Sequence, residues 1–218
     1  MSTAFVVGAT GAVGTELVKL LADSTKFSKV VLLARRPVDA ATGEKFSQKT
    51  IDFEKLEENS DSVRDLDVAF CALGTTRGKS GIDGFYKVDH DYVLESAKLA
   101  KANGVKQFIL VSSRGADEDS RFYYLKTKGE VENEIGELQF DKFVIMRPGL
   151  IEAKREEFRL GEFVGSILLK PLKLFSNRFS SSATEIAQAM INATQTEETG
   201  KHIWENAKII EESKKYSA

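Results

Sequence analysis

The apolar residues of the chain fall into short unbroken runs separated by stretches of helical spacing. Ala4-Phe-Val-Val7 reads as a strand buried on both faces, and Val13, Leu17, Val18, Leu20 and Leu21 then recur along one face of an amphipathic helix. The alternation continues. Lys29-Val-Val-Leu-Leu-Ala34 predicts a second strand, Lys49-Thr-Ile-Asp-Phe53 a short third one with a weak helical stretch behind it, and Asp67–Leu73 a fourth. Helical spacing through Val88, Tyr92, Leu94 and Leu99 predicts a helix over Phe85–Ala102, stopped by Asn103-Gly104. Phe108–Val111 and Phe143–Met146 read as the fifth and sixth strands. Ala183–Ala193 is a further amphipathic helix, His202-Ile-Trp204 an edge strand, and a last helix lies near Ile209 before a polar end. Strands alternating with helices in this way predict right-handed crossovers and one parallel sheet flanked by helices, an α/β chain.

The first strand and helix are joined by Gly8, Gly11 and Gly14 at G-x-x-G-x-x-G spacing, with Thr10, Ala12 and Val13 between them. Missing side chains there allow a tight turn, a backbone close to a pyrophosphate, and a helix packed hard on its strand. The free N–H groups and positive dipole end of the helix suit phosphate. The fold expected is therefore a Rossmann-type doubly wound sheet, and the turn a dinucleotide site. The second strand ends in Arg35-Arg36, where a NAD-preferring fold usually offers a carboxylate, so these guanidinium groups predict a 2′-phosphate and hence NADP(H). Asp52 and Phe53 would border the adenine. Leu73 and Gly74 follow the fourth strand at the topological switch point, beside the cofactor. For Thr75, Thr76 and Arg77 a polar connecting loop is an equally good reading.

Past the fifth strand, Tyr124 and Lys128 stand four apart and share one helix face. A neighbouring ammonium favours phenolate, so such a pair can exchange a proton with a carbonyl or alcohol near neutral pH. A serine at the strand end would hydrogen-bond the same substrate oxygen; Ser113 is the first choice and Ser112 its deputy. Tyr123 has Thr127 at that spacing and reads as packing, and His90 reads as helix surface.

Composition narrows the picture. With 218 residues, 42% hydrophobic and 29% charged, the chain reads as a single soluble domain, 1–218, with a small lid or substrate subregion over 150–181. A net charge of −2 offers no basic surface for nucleic acid. The single cysteine, Cys71, reads as inert core, and the isolated His90 and His202 predict no metal site. No apolar run is long enough to span a membrane, and the first strand begins too early to leave room for a cleavable leader. The default address is cytoplasmic.

The glycine turn, Ser112-Ser113, Tyr124-x-x-x-Lys128 and Arg147-Pro148-Gly149 together resemble the short-chain dehydrogenase/reductase superfamily in its extended or atypical branch. Phe27-Ser-Lys-Val, Asp52-Phe-Glu-Lys-Leu56, Leu73-Gly-Thr-Thr-Arg-Gly78 and Lys128-Gly-Glu-Val-Glu132 bring it closest to the Tat-interacting-protein 2 oxidoreductases. Fungal relatives on the mitochondrial outer membrane share parts of this pattern, which gives a peripheral place on that membrane as the alternative address. The resemblance implies NADPH held by Gly8, Thr10, Gly11, Ala12, Val13, Gly14, Arg35, Arg36, Leu73, Gly74, Tyr124 and Lys128, with further contacts near Ile151 and Arg159. It covers about residues 5–162, so the substrate is the least specified part. Two functions are compatible with it: an NADPH-dependent reductase of a small carbonyl substrate with Tyr124 as proton donor, or an NADPH-binding sensor that meets a protein partner through the lid without turnover.

Overall fold

A computed structural model describes residues 1–41, 43–75, 77–152 and 180–218, with the side chains of 77–80 outside that description. Seven strands form one wholly parallel sheet: β1 (Ser2–Val7), β2 (Phe27–Ala34), β3 (Phe46–Thr50), β4 (Val68–Cys71), β5 (Gln107–Val111), β6 (Lys142–Arg147) and, at the far edge, β9 (Gly200–Glu205). Their order is β3-β2-β1-β4-β5-β6-β9. The reversal between β1 and β4 is the switch point at which such sheets bind ligands. A separate parallel pair joins β7 (Leu150–Glu152) to β8 (Ser180–Ser182).

Strand residues alternate between two cores. Ala4 and Val6 point to a layer made by α1 (Ala12–Asp23), α6 (Ala183–Ala193) and α7 (Asn206–Ser213). Phe5 and Val7 point to the opposite layer, where α4 (Tyr92–Ala102) and α5 (Tyr123–Glu137) pack together. Burial on both faces explains why these strands read as continuous apolar runs. Between β3 and β4 lie a 3₁₀ helix (Phe53–Asn59) and the short α2 (Ser60–Val63). The expected order of strands holds throughout, as do the α6 bounds and an edge strand around His202–Trp204.

Two local readings change. The third strand runs over Phe46–Thr50 and stops before Asp52, whose carboxylate instead caps the 3₁₀ helix by accepting the Glu54 N–H at 3.0 Å. The helix expected over Phe85–Ala102 is composite: α3 (Arg77–Tyr86) leads into a π turn (Lys87–Asp91) and then into α4. A π turn adds a residue and rotates the side chains beyond it about the helix axis. Asp89 and His90, both within the turn, are buried, against the expectation that His90 lies on the surface. His90 stacks on Tyr86, with Nδ1 2.9 Å from Asp91 and Nε2 3.0 Å from Glu134 of α5. The expected lid falls, apart from β7 and β8 at its ends, outside the described residues, as does Arg159.

Candidate functional site

The glycine turn is built by close approach. Gly8 has φ +82°, and a Cβ there would lie 2.4 Å from the Ala72 carbonyl group, so the end of β1 presses on the loop after β4. A Cβ at Gly14 would lie 2.1 Å from the Gly8 carbonyl oxygen, which fixes α1 against the turn. Gly11 differs: a Cβ would meet only ordinary contacts at 3.5 and 3.8 Å. It is the N-cap of α1, exposed together with Thr10, and it brings no side chain to the helix's first N–H groups. Those donors and the bare backbone suit the phosphates of a dinucleotide. Ala12 is half-exposed, whereas the Val13 side chain is 6% exposed in the core, so only its backbone can serve the turn.

Arg35 and Arg36 stand exposed at the end of β2. Near Arg35, Phe53 stacks on Tyr92 with ring centroids 4.9 Å apart. Burial, together with the hydrogen bond Tyr92 donates to Glu54, pushes the Tyr92 phenol up to about 12, and the Arg35 charge acts in the opposite direction. Phe53 is itself buried, so it offers a cofactor a rim rather than a free ring face. Leu73 is half-buried and Gly74 exposed.

On α5, Tyr124, Lys128 and Glu132 occupy successive turns of one face. Tyr124 is half-buried with its ring 5.6 Å from that of Phe85, and Tyr123 lies 6.0 Å from the same ring on the exposed side. Lys128 is buried and pairs with Asp89 at 2.8 Å. Burial works against its charge, but the Asp89 carboxylate outweighs it and holds the amine above the ordinary lysine range. Glu132, also buried, accepts the Ser112 hydroxyl and receives the Arg147 Nε at 3.2 Å on both oxygens, with Arg147 Nη1 lying 3.8 Å from Glu205. Ser112 is thus engaged with a buried carboxylate. Ser113 is half-buried, and its hydroxyl lies 3.5 Å from the Arg114 carbonyl oxygen.

Two further close contacts hold this region together. A Cβ at Gly129 would lie 2.2 Å from the Glu118 nitrogen, so the loop behind Ser113 rests directly on α5. Asp117 N–H also donates to the Leu125 carbonyl at 3.1 Å. Ile151 on β7 packs against the α1/α6 core. Asn206 Oδ1 accepts from Gly149 N–H at 2.8 Å and from the Ser181 hydroxyl at 2.7 Å, which binds both ends of the β7–β8 pair to α7.

Of the residues gathered here, Asp89 went unmarked by the sequence, whereas Gly129, Glu132 and Arg147 stood inside the motifs that carry the family resemblance. Glu132 carried a usable signal, since it stands one turn beyond Lys128. Asp89 stood at buried spacing, four residues after Phe85 and four before Val93, but no motif marked it out. Cys71 is buried, its thiol pushed up to about 12 chiefly by that burial, and among the described residues no group of three His, Cys, Asp or Glu could hold a metal.

The Glu132–Arg147 pair leads to a prediction about stability. Glu132→Ala leaves a guanidinium and the Ser112 hydroxyl without their buried acceptor, and breaking such a pair costs about 3 kcal/mol or more. Urea denaturation should show that loss, and a cost under about 1 kcal/mol would mean the pair behaves as a surface bridge.

A parallel sheet with a glycine turn at its switch point defines a nucleotide-cofactor protein, and a family profile described as NAD(P)H-binding matches residues 8–197. The chain belongs to this NAD(P)H-binding family. It is 41% identical over 210 residues to Protein HTATIP2 of Rattus norvegicus, covering 94% of this chain and 87% of that one. It is 42% identical over 162 residues to Protein FMP52, mitochondrial, of Debaryomyces hansenii, covering 71% and 69% respectively. Among solved structures, a putative NAD-dependent epimerase/dehydratase from Bacillus halodurans superposes with a TM-score of 0.67 at 23% identity, over 97% of this chain and 99% of that one. MoeE5 in complex with UDP-glucose and NAD superposes with a TM-score of 0.70 at 14% identity, over 93% and 75%. These two establish the fold.

Proposed function

We propose that the protein is an NADPH-dependent oxidoreductase that reduces a small carbonyl compound, with Tyr124 as the proton donor. What supports this reading is that the glycine turn after β1 packs on the loop after β4, that Asp89 ties Lys128 to that same loop, and that Tyr124 lies beside Lys128 on α5, with Ser113 just past β5. Gly8, Thr10, Gly11, Ala12, Val13 and Gly14 would hold the pyrophosphate, Arg35 and Arg36 the 2′-phosphate, and Asp52, Phe53, Leu73, Gly74 and Ile151 would border the nucleosides. A reduced nicotinamide, when bound, supplies the hydride. Ser113 orients the substrate oxygen by hydrogen bonding, and Tyr124 Oη passes its proton to that oxygen as negative charge develops there. Lys128 keeps a positive charge beside the phenol.

The direct test is consumption of NADPH absorbance across a panel of aldehydes, ketones and quinones. Undiminished NADPH binding with no consumption by any of them would instead favour the sensor reading. Cofactor choice is tested separately. The Arg35→Ala, Arg36→Ala double variant should lose about tenfold or more in NADPH affinity, as expected for a charge-assisted contact of roughly 1.5–3 kcal/mol. NADH affinity should change little; calorimetric titration showing equal losses would remove the NADPH assignment. Among the described residues no helix is long and apolar enough to cross a membrane. The fungal relatives are named as mitochondrial, which supports the mitochondrial part of the second address drawn from sequence.

A further inference from the structure

The Asp89–Lys128 contact lies on the wall between the cofactor turn and the catalytic helix. Asp89 is 2% exposed, and its two oxygens face different elements. Oδ1 is 2.8 Å from Lys128 Nζ on α5, and Oδ2 accepts the Thr75 N–H at 2.7 Å, in the loop after β4. That loop is the one on which Gly8 presses. A Cβ at Gly74 would stand 3.4 Å from Asp89 Oδ1, so the backbone fits closely around the carboxylate. The titratable groups facing Lys128 are Asp89 from the π turn, Tyr124 from its own helix and Cys71 from β4. Asp89 is the carboxylate among them.

A lysine this buried tends to lose its proton, with pKa values falling by as much as 3–5 pH units where no partner exists. We propose that Asp89 is a positioning residue, whose carboxylate keeps the Lys128 amine protonated within the protein wall and ties it to the loop after β4. Its importance for turnover rests on the reductase reading, but the charge state it sets does not. The price is a partly compensated field at Tyr124, which is still more than an unprotonated amine would provide. Because the pair raises the folded-state pKa of Lys128, its contribution is complete below the ordinary lysine range and disappears only as pH rises through the folded value. Without Asp89, the charge would vanish inside the working range.

Asp89→Asn is the decisive change, since it preserves an oxygen for the Thr75 N–H and removes the charge. In protein labelled with ¹³C at lysine Cε, the Lys128 resonance, identified by its loss in Lys128→Met, should be flat to about pH 10 in wild type. In Asp89→Asn it should titrate about three pH units below the ordinary lysine value. NADPH affinity of that variant should match wild type near pH 6 and fall about tenfold by pH 9, while wild type stays level. Asp89→Glu should restore much of the high-pH affinity. If Asp89→Asn is too unstable for these measurements, the Asp89→Asn, Lys128→Met double variant should recover melting temperature, because the orphaned ammonium has gone. An unchanged Lys128 titration, or no recovery in the double variant, would overturn the proposal. Absence of turnover by wild type would remove the reductase reading while leaving the resonance and melting experiments to decide on Asp89.

Discussion

Tyr124→Phe should reduce NADPH-dependent carbonyl turnover on the order of 10²-fold or more, the usual scale for losing a positioned general acid. The substitution keeps the ring that packs 5.6 Å from Phe85 and removes only the phenolic oxygen, so fold and cofactor affinity should change far less than turnover. Tyr123→Phe is the matched control. It lies on the exposed side of the same aromatic cluster and should be nearly silent in steady-state kinetics. Lys128→Ala should impair both cofactor binding and turnover, and it also strands the Asp89 carboxylate in a buried site, so its loss of stability must be measured alongside its rates. Full activity in Tyr124→Phe would dispose of the mechanism regardless of how well the cofactor binds.

Gly11→Val and Gly14→Ala, three residues apart in one motif, should fail in opposite ways. At Gly11 a Cβ meets nothing closer than 3.5 Å, so the valine variant should keep its circular dichroism spectrum while its branched side chain fills the space proposed for the pyrophosphate. NADPH binding should become undetectable by calorimetry. At Gly14 even a methyl group would lie 2.1 Å from the Gly8 carbonyl oxygen and 2.9 Å from the Ala9 Cα. Backbone cannot step aside as a side chain can, so α1 would have to lift from β1, at an overpacking cost of about 1–3 kcal/mol or more. Gly14→Ala should therefore lower the denaturation midpoint before any question of cofactor arises. A Gly11→Val protein that binds NADPH normally would mean that the phosphates lie elsewhere.

The contrast between these glycines shows the reach of a one-dimensional reading. The doubly wound sheet was legible because each central strand is buried on both sides, leaving uninterrupted runs such as Val30–Ala34 whose spacing needs no tertiary information. The Tyr124, Lys128 face was legible because four residues make one helical turn. Asp89 went unmarked because a carboxylate at an apolar position, four residues after Phe85 and four before Val93, reads as a break in the buried face until its partner Lys128 on another helix is seen. The third strand was misplaced toward Asp52 and Phe53 because their apolar neighbour Ile51 resembles a strand residue, whereas the observed Phe46–Thr50 strand is an edge whose residues are mostly exposed. Exposure erases the hydrophobic signal on which strand recognition depends. Sequence ranked Ser113 ahead of Ser112 without a physical distinction between them; the structure separates them, with Ser112 buried against the Glu132 carboxylate and Ser113 half-buried beside the Arg114 carbonyl.

The carboxamide of Asn206 grips Gly149 and Ser181 at once, and its Nδ2 donates to the Ser180 carbonyl at 3.2 Å. One side chain thus fastens both the backbone just before β7 and the strand β8 to the first residue of α7, beside the parallel pairing of the two strands. A side chain so placed makes the strand pair and the start of α7 one unit, so that removing the Asn206 carboxamide would loosen both strands together rather than either alone.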